Sequence, residues 1–147
     1  MAKQTDINLA SDLRTVITRL IKKLRKKSET GMLLSLTERS TMGLLDQHGE
    51  LLPNELAGME KITNQSMSQI LNHLTDLGYI NRRISKDDKR KSIISLSAKG
   101  SSVLRQVRSE RDSWLYHAIN QTSTAEEIEI LKKAIEPLRR LIDFEDA

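Results

Sequence analysis

A mainly α-helical chain carrying one small β-hairpin is the fold class this sequence predicts, on three observations. Apolar residues recur at three- and four-residue spacing along most of the 147 residues. Strict alternation is confined to two short runs, 79–84 and 92–96. Two prolines, six glycines and four aromatic residues are too few for a many-turned β-sandwich.

Each element has a local reason. Leu9, Leu13, Ile17, Leu20, Ile21 and Leu24 share one stripe, with Arg and Lys on the opposite face, so a first helix is expected over roughly 9–28. Ser35 and Glu38 make a capping box that opens a helix ending near His48-Gly49. Pro53 suits the first position of a short helix over 53–60, where its missing N–H costs nothing. Thr63 caps the next helix, Asn64 to about Leu77, with Met67, Ile70, Leu71 and Leu74 inward and Gly78 ending it. Tyr79–Ile84 and Ser92–Leu96 read as paired strands around a polar loop, with Ile80, Ile84, Ile94 and Leu96 as one inward face. Ser97 caps a long helix over about 98–121, with Val103, Val107, Trp114 and Ala118 on one stripe. Thr124 caps a last helix whose Ile128, Leu131, Ile135, Leu138 and Ile142 follow the spacing of a helix–helix seam.

Charge is unevenly placed. Arg14–Lys27 holds seven bases and no acid, Arg82–Lys91 six bases and two acids, and 124–147 seven acids against four bases. Solvated helix faces explain the first run as well as a polyanion partner does, but they explain the short run centred on a turn less well. The absence of cysteine excludes disulfides, thiol redox chemistry and cysteine-ligated metal. No two of His48, His73 and His117 share ligand spacing, so no metal is expected. No nucleophile elbow or phosphate-cradling glycine loop is present, so an enzyme is not expected. The polar start of the chain lacks the apolar core of a signal peptide and no run could span a membrane, so the expectation is a cytoplasmic, nucleoid-associated protein without a membrane partner.

Helix 53–60, a tight turn and helix 63–77 form a helix-turn-helix candidate. The second helix turns Asn64, Gln65, Ser66, Ser68, Gln69, Asn72 and His73 outward. Amides and hydroxyls both donate and accept, which suits base edges in a major groove better than the Glu and Lys of an ordinary wet helix face. A basic hairpin follows at once, which is the winged-helix arrangement.

The stretch Pro53–Gly100 resembles the DNA-binding core of the MarR (multiple antibiotic resistance regulator) family. Glu55-Leu56-Ala57, Leu74 followed by Gly78-Tyr79-Ile80, Arg82-Arg83, Asp88-Lys89-Arg90 and Leu96-Ser97-Ala98-Lys99-Gly100 carry the likeness. Three positions depart from the pattern: Lys61 where the turn often has Gly, Glu60 where a buried Leu is common (leaving Met59 or Ile62 to fill that space), and Ser85-Lys86 for a frequent Asp-Pro.

The resemblance implies a winged helix-turn-helix with terminal dimerisation helices: 1–34 and 98–147 for dimerisation, 35–97 as the DNA-binding lobe. It implies a sequence-specific regulator of double-stranded DNA, a repressor acting as a homodimer on a near-palindromic operator. Asn64, Gln65, Ser66, Ser68 and Gln69 are the candidates for the major groove. Arg90, oriented by Asp88, is the candidate for the minor groove, and Asp87 is left as a solvated loop residue. His73, Arg82, Arg83, Lys86, Lys89 and Lys91 are the candidates for phosphate. The family further implies a pocket for a small anionic aromatic effector, for which Trp114 and His117 are the candidate lining. No cofactor is expected. Two other readings stay open at this point: a structural DNA-coating protein without effector control, and a protein-interaction adaptor on the same scaffold.

Overall fold

The computed structural model describes residues 3–145, without the side chain of Thr5. The outer ends of the two terminal segments, 1–2 and 146–147, lie outside the described residues. The chain forms two compact units, one running to Arg111 and one from Asp112 onward.

In the first unit, α1 spans Gln4–Arg25, starting earlier and ending sooner than the apolar stripe suggests. Asp6 in its first turn and Lys22, Lys23 and Arg25 in its last complement the helix dipole. A four-residue helix follows, α2 (Glu29–Met32), capped by Ser28, whose buried Oγ accepts from Gly31 N at 3.0 Å. The capping box opens α3 (Leu36–His48) as expected, and Gly49 ends it at φ 83°. Then come β1 (Glu50–Leu51), α4 (Pro53–Glu60), α5 (Asn64–Asp76), β2 (Ile80–Ile84), β3 (Ser92–Leu96) and α6 (Ala98–Thr122).

The sheet is antiparallel, ordered β1-β3-β2, so the hairpin gains a third strand. Glu50 pairs with Ser95 and Leu51 with Ile94, while Ile80 pairs with Leu96 and Ile84 with Ser92. The expected inward face holds for Ile80 and Ile94, which are buried, and for the partly buried Leu96. It fails at Ile84, which is 67% exposed. Ile84 lies at the wing end of the ladder, opposite a serine and past the reach of the core.

Met42 and Leu45 of α3, Leu56 of α4, and Met67, Leu71 and Leu74 of α5 are fully buried together with Ile94. Burying each such side chain is worth about 1.5–3 kcal/mol, so α5 is held by its inner face and its outer face is left to other work.

The junction after β3 explains the Leu-Ser-x-x-Gly sequence. Ser97 Oγ donates to Gly78 O at 2.6 Å and accepts from Gly100 N at 2.9 Å. Ser97 N donates to Tyr79 O at 3.0 Å, and Lys99 Nζ donates to Leu77 O at 3.0 Å. Ser97 and the first turn of α6 thus satisfy three consecutive carbonyls, those of Leu77, Gly78 and Tyr79, just beyond α5. Lys99 Nζ also lies 5.5 Å from the centre of the Tyr79 ring.

The second unit holds the rest of α6 and α7 (Ala125–Asp143). Thr124 caps α7 as expected, and Glu127 completes a capping box by accepting from Thr124 N. Ile130, Leu131, Ile135, Leu141 and Ile142 of α7 are exposed, as are Ile7, Val16, Ile17, Leu20 and Ile21 of α1. Among the described residues no helix is long and apolar enough to cross a membrane.

Candidate nucleic-acid interface

The turn between α4 and α5 is set by Lys61, whose φ of 56° and ψ of 43° put it in the left-handed region. Lys61 N donates to Gly58 O at 3.2 Å and Ile62 N to Ala57 O at 3.0 Å, closing α4 before the chain reverses. This is the position where the family pattern often has Gly, and the reason is now visible. A side chain in this region costs about 1–2 kcal/mol, partly offset by the greater unfolded-state freedom of Gly. Lys61→Gly is therefore expected to raise unfolding free energy by about 0.5 kcal/mol, read by urea denaturation. Of the two candidates to fill the space left by Glu60, Ile62 packs against the core, whereas Met59 is exposed. Glu60 itself accepts a hydrogen bond from Ser40.

Thr63 caps α5, its Oγ1 accepting from Ser66 N at 3.0 Å and lying 3.0 Å from Ser66 Oγ. With Met67, Leu71 and Leu74 buried, Asn64, Gln65, Ser66, Ser68, Gln69 and Asn72 are all exposed. The outer face of α5 is a continuous row of amide and hydroxyl groups.

The cations predicted for phosphate fall into two groups. Arg82 reaches back to α5, donating to Thr75 Oγ1 at 3.2 Å and to Asn72 Oδ1 at 3.0 Å. Arg83 donates to Glu50 Oε2 at 2.9 Å, a tie between β2 and β1. His73 Nδ1 meets Glu38 Oε2, so α5 is pinned to α3. Glu38 Oε1 accepts from Ser35 N at 2.8 Å. Burial pushes the Glu38 carboxyl up, but the Ser35 and His73 bonds outweigh it and hold the group below its ordinary value. Lys86, Lys89 and Lys91, by contrast, are exposed on the wing loop.

The wing tip has a built geometry. Asp88 Oδ1 accepts from Arg90 N at 3.0 Å and from Arg90 Nε at 3.2 Å, and Asp88 Oδ2 accepts from Arg90 Nη2 at 3.4 Å. The Arg90 side chain is 91% exposed and that of Asp88 only 30%. The carboxylate is thus part of the loop, while the guanidinium stands outside it. The Arg90 side chain, and then its backbone N–H, hold the Asp88 carboxyl below the usual carboxylate range.

Ser85 does the structural work at the base of the loop. It is buried, its Oγ accepts from Asp87 N at 3.3 Å and Asp88 N at 3.4 Å, and its N donates to Lys91 O at 2.9 Å. A serine two and three residues ahead of the N–H groups it caps is a turn signal, and here it supplies the turn at the position where the family pattern frequently has Asp-Pro. Trp114, half-buried, and His117, exposed, lie on the α6 portion of the second unit.

Known proteins agree with this architecture. The MarR family model matches residues 34–92. An uncharacterized helix-turn-helix type transcriptional regulator of Mycobacterium leprae is 30% identical over 139 residues, covering 95% of this chain and 96% of that protein. A crystal structure of a Pseudomonas aeruginosa protein, described as a candidate transcriptional regulator, superposes with a TM-score of 0.86 at 27% identity, covering 98% of this chain and 100% of that one. An S. aureus MepR mutant bound to an oligodeoxyribonucleotide has a TM-score of 0.68 at 20% identity, covering 91% of this chain and 97% of that one. With the helix-turn-helix, the wing and the full-length match together, this chain belongs to the MarR family and is a DNA-binding winged-helix transcriptional regulator, not an enzyme.

Proposed function

We propose that this regulator is a repressor that binds a near-palindromic operator as a homodimer. Asn64, Gln65, Ser66, Ser68 and Gln69 of α5 read base edges in the major groove, and Arg90 enters the neighbouring minor groove. The observation that carries this reading is the exposed Arg90 fork, held by Asp88 on the hairpin that follows the amide-lined helix. An arginine fixed in advance loses less rotamer freedom on binding, and a narrow A·T-rich minor groove rewards it with enhanced negative potential.

Lys86, Lys89 and Lys91 contact phosphates directly. Arg82, Arg83 and His73 reach phosphate only by sharing or exchanging their protein partners, so they contribute less to the salt dependence. The exposed apolar faces of α1 and α7 support a two-fold dimer, which sets two copies of α5 about 34 Å apart along the duplex. Release by a small anionic aromatic effector at Trp114 and His117 is part of the proposal.

Selection of bound DNA from a random pool at fixed salt tests it. The expected product is a palindromic consensus with half-sites one helical turn apart, matched by sedimentation of a dimer at micromolar concentration. Enrichment of no sequence, or a monomer bound to an asymmetric site, would contradict the reading.

A further inference from the structure

We infer that Arg82 is a positioning residue for base recognition: it turns the Asn72 amide so that Asn72 meets the major groove as a donor and selects guanine. The inference rests on the reading that α5 lies in that groove, and it adds a residue and a base preference to it.

Asn72 is exposed and stands about two helical turns beyond Gln65 on the same outward line of α5. Its Oδ1 accepts from Arg82 Nη2 at 3.0 Å, and Arg82 Nε donates to Thr75 Oγ1 at 3.2 Å. The Thr75 hydroxyl proton is spent on Leu71 O at 2.7 Å, so its oxygen is left to accept from the guanidinium. At its other end Arg82 is held in the β2–β3 ladder opposite Ile94, which is fully buried. Arg82 is thus fixed by its backbone and by two bonds from one edge of its planar head.

A guanidinium donates and never accepts, so the end of the amide that meets it must be the oxygen. Nδ2, with two N–H donors, is the end left for DNA. An unrestrained Asn pairs with adenine through both ends of its amide, donating to N7 and accepting from N6. Asn72 has its acceptor turned to β2, which spoils that pairing. Guanine offers two neighbouring acceptors, N7 and O6, and these match the two donors. Cytosine presents a donor at this edge and thymine a single acceptor, so guanine gains most.

The test is selection of bound DNA from a random pool at fixed salt, run in parallel on wild type, Asn72→Asp, Asn72→Ala and Arg82→Met. Asn72→Asp keeps the shape and the bond from Arg82 and removes only the outward donors. Wild type is expected to select guanine at one base pair of each half-site that Asn72→Asp and Asn72→Ala read about ten-fold less strictly, with the other positions unchanged. Arg82→Met frees the amide oxygen and should move that same position toward adenine. A purely structural role for the pair would lower the melting temperature without moving any base preference. A consensus unchanged in all three variants, or an equal loss of affinity for every sequence, which marks a phosphate contact, would overturn the inference. A palindromic wild-type consensus that no variant alters would overturn this inference alone, whereas a wild-type pool without a consensus would overturn the groove reading with it.

Discussion

Gly100→Ala is expected to cost about 3 kcal/mol or more of unfolding free energy, a large share of the 5–15 kcal/mol typical of a domain. A Cβ at Gly100 would stand 2.0 Å from Tyr79 O, 2.9 Å from its carbonyl carbon and 3.1 Å from its Cα. All three are backbone atoms, and Tyr79 O is already fixed by the Ser97 N–H. The chain cannot yield there without parting α6 from the end of α5. Gly58→Ala is the matched control, because a Cβ at Gly58 meets nothing within 4 Å and α4 gains helix propensity. Urea denaturation of both variants should show a large loss for one and none for the other. Equal midpoints would mean that the junction does not hold α5 as described.

Arg90→Ala is expected to lower operator affinity by about ten- to a hundred-fold and to reduce the slope of log affinity against log salt by about one. Asp88→Asn should lower operator affinity by less, while leaving affinity for random DNA unchanged or raised, because it removes a negative charge as well as the positioning bonds. Filter binding at several salt concentrations separates the two effects. Unchanged operator affinity in Asp88→Asn beside a large loss in Arg90→Ala would remove the positioning role. The pH dependence has a definite sign. The Asp88 carboxyl is held below its ordinary value by Arg90, so the pair is intact above the usual carboxylate range and is lost as pH falls through the depressed value. Operator affinity should therefore be insensitive to this group near neutrality and should fall only below about pH 4.

Much of this fold was legible because chain punctuation was strong. Pro53 and Thr63 placed the starts of α4 and α5, and the alternation of Ser92–Leu96 placed β3. What escaped was either too short to show a period, as with α2 and β1, or decided by tertiary position, as with exposed Ile84. The beginning of α1 was missed because its first turn is polar and carries no apolar repeat.

The outward row on α5 could be read from residue types alone. The Asp88–Arg90 pairing came from family resemblance, since composition shows only acids among bases. Ties such as Arg83–Glu50 and His73–Glu38 join residues 33 and 35 apart, and no local pattern announces them.

Methylation interference on the selected operator is the most direct test of the central claim, that α5 lies in a major groove while Arg90 enters the minor groove beside it. Methyl groups at guanine N7 report the major groove and those at adenine N3 the minor groove. Both are expected to block binding, at the centre of each half-site and on its flank respectively, with the adenine signal disappearing in Arg90→Ala and the guanine signal persisting. An adenine signal unchanged in Arg90→Ala, or no guanine interference in either half-site, would contradict the account.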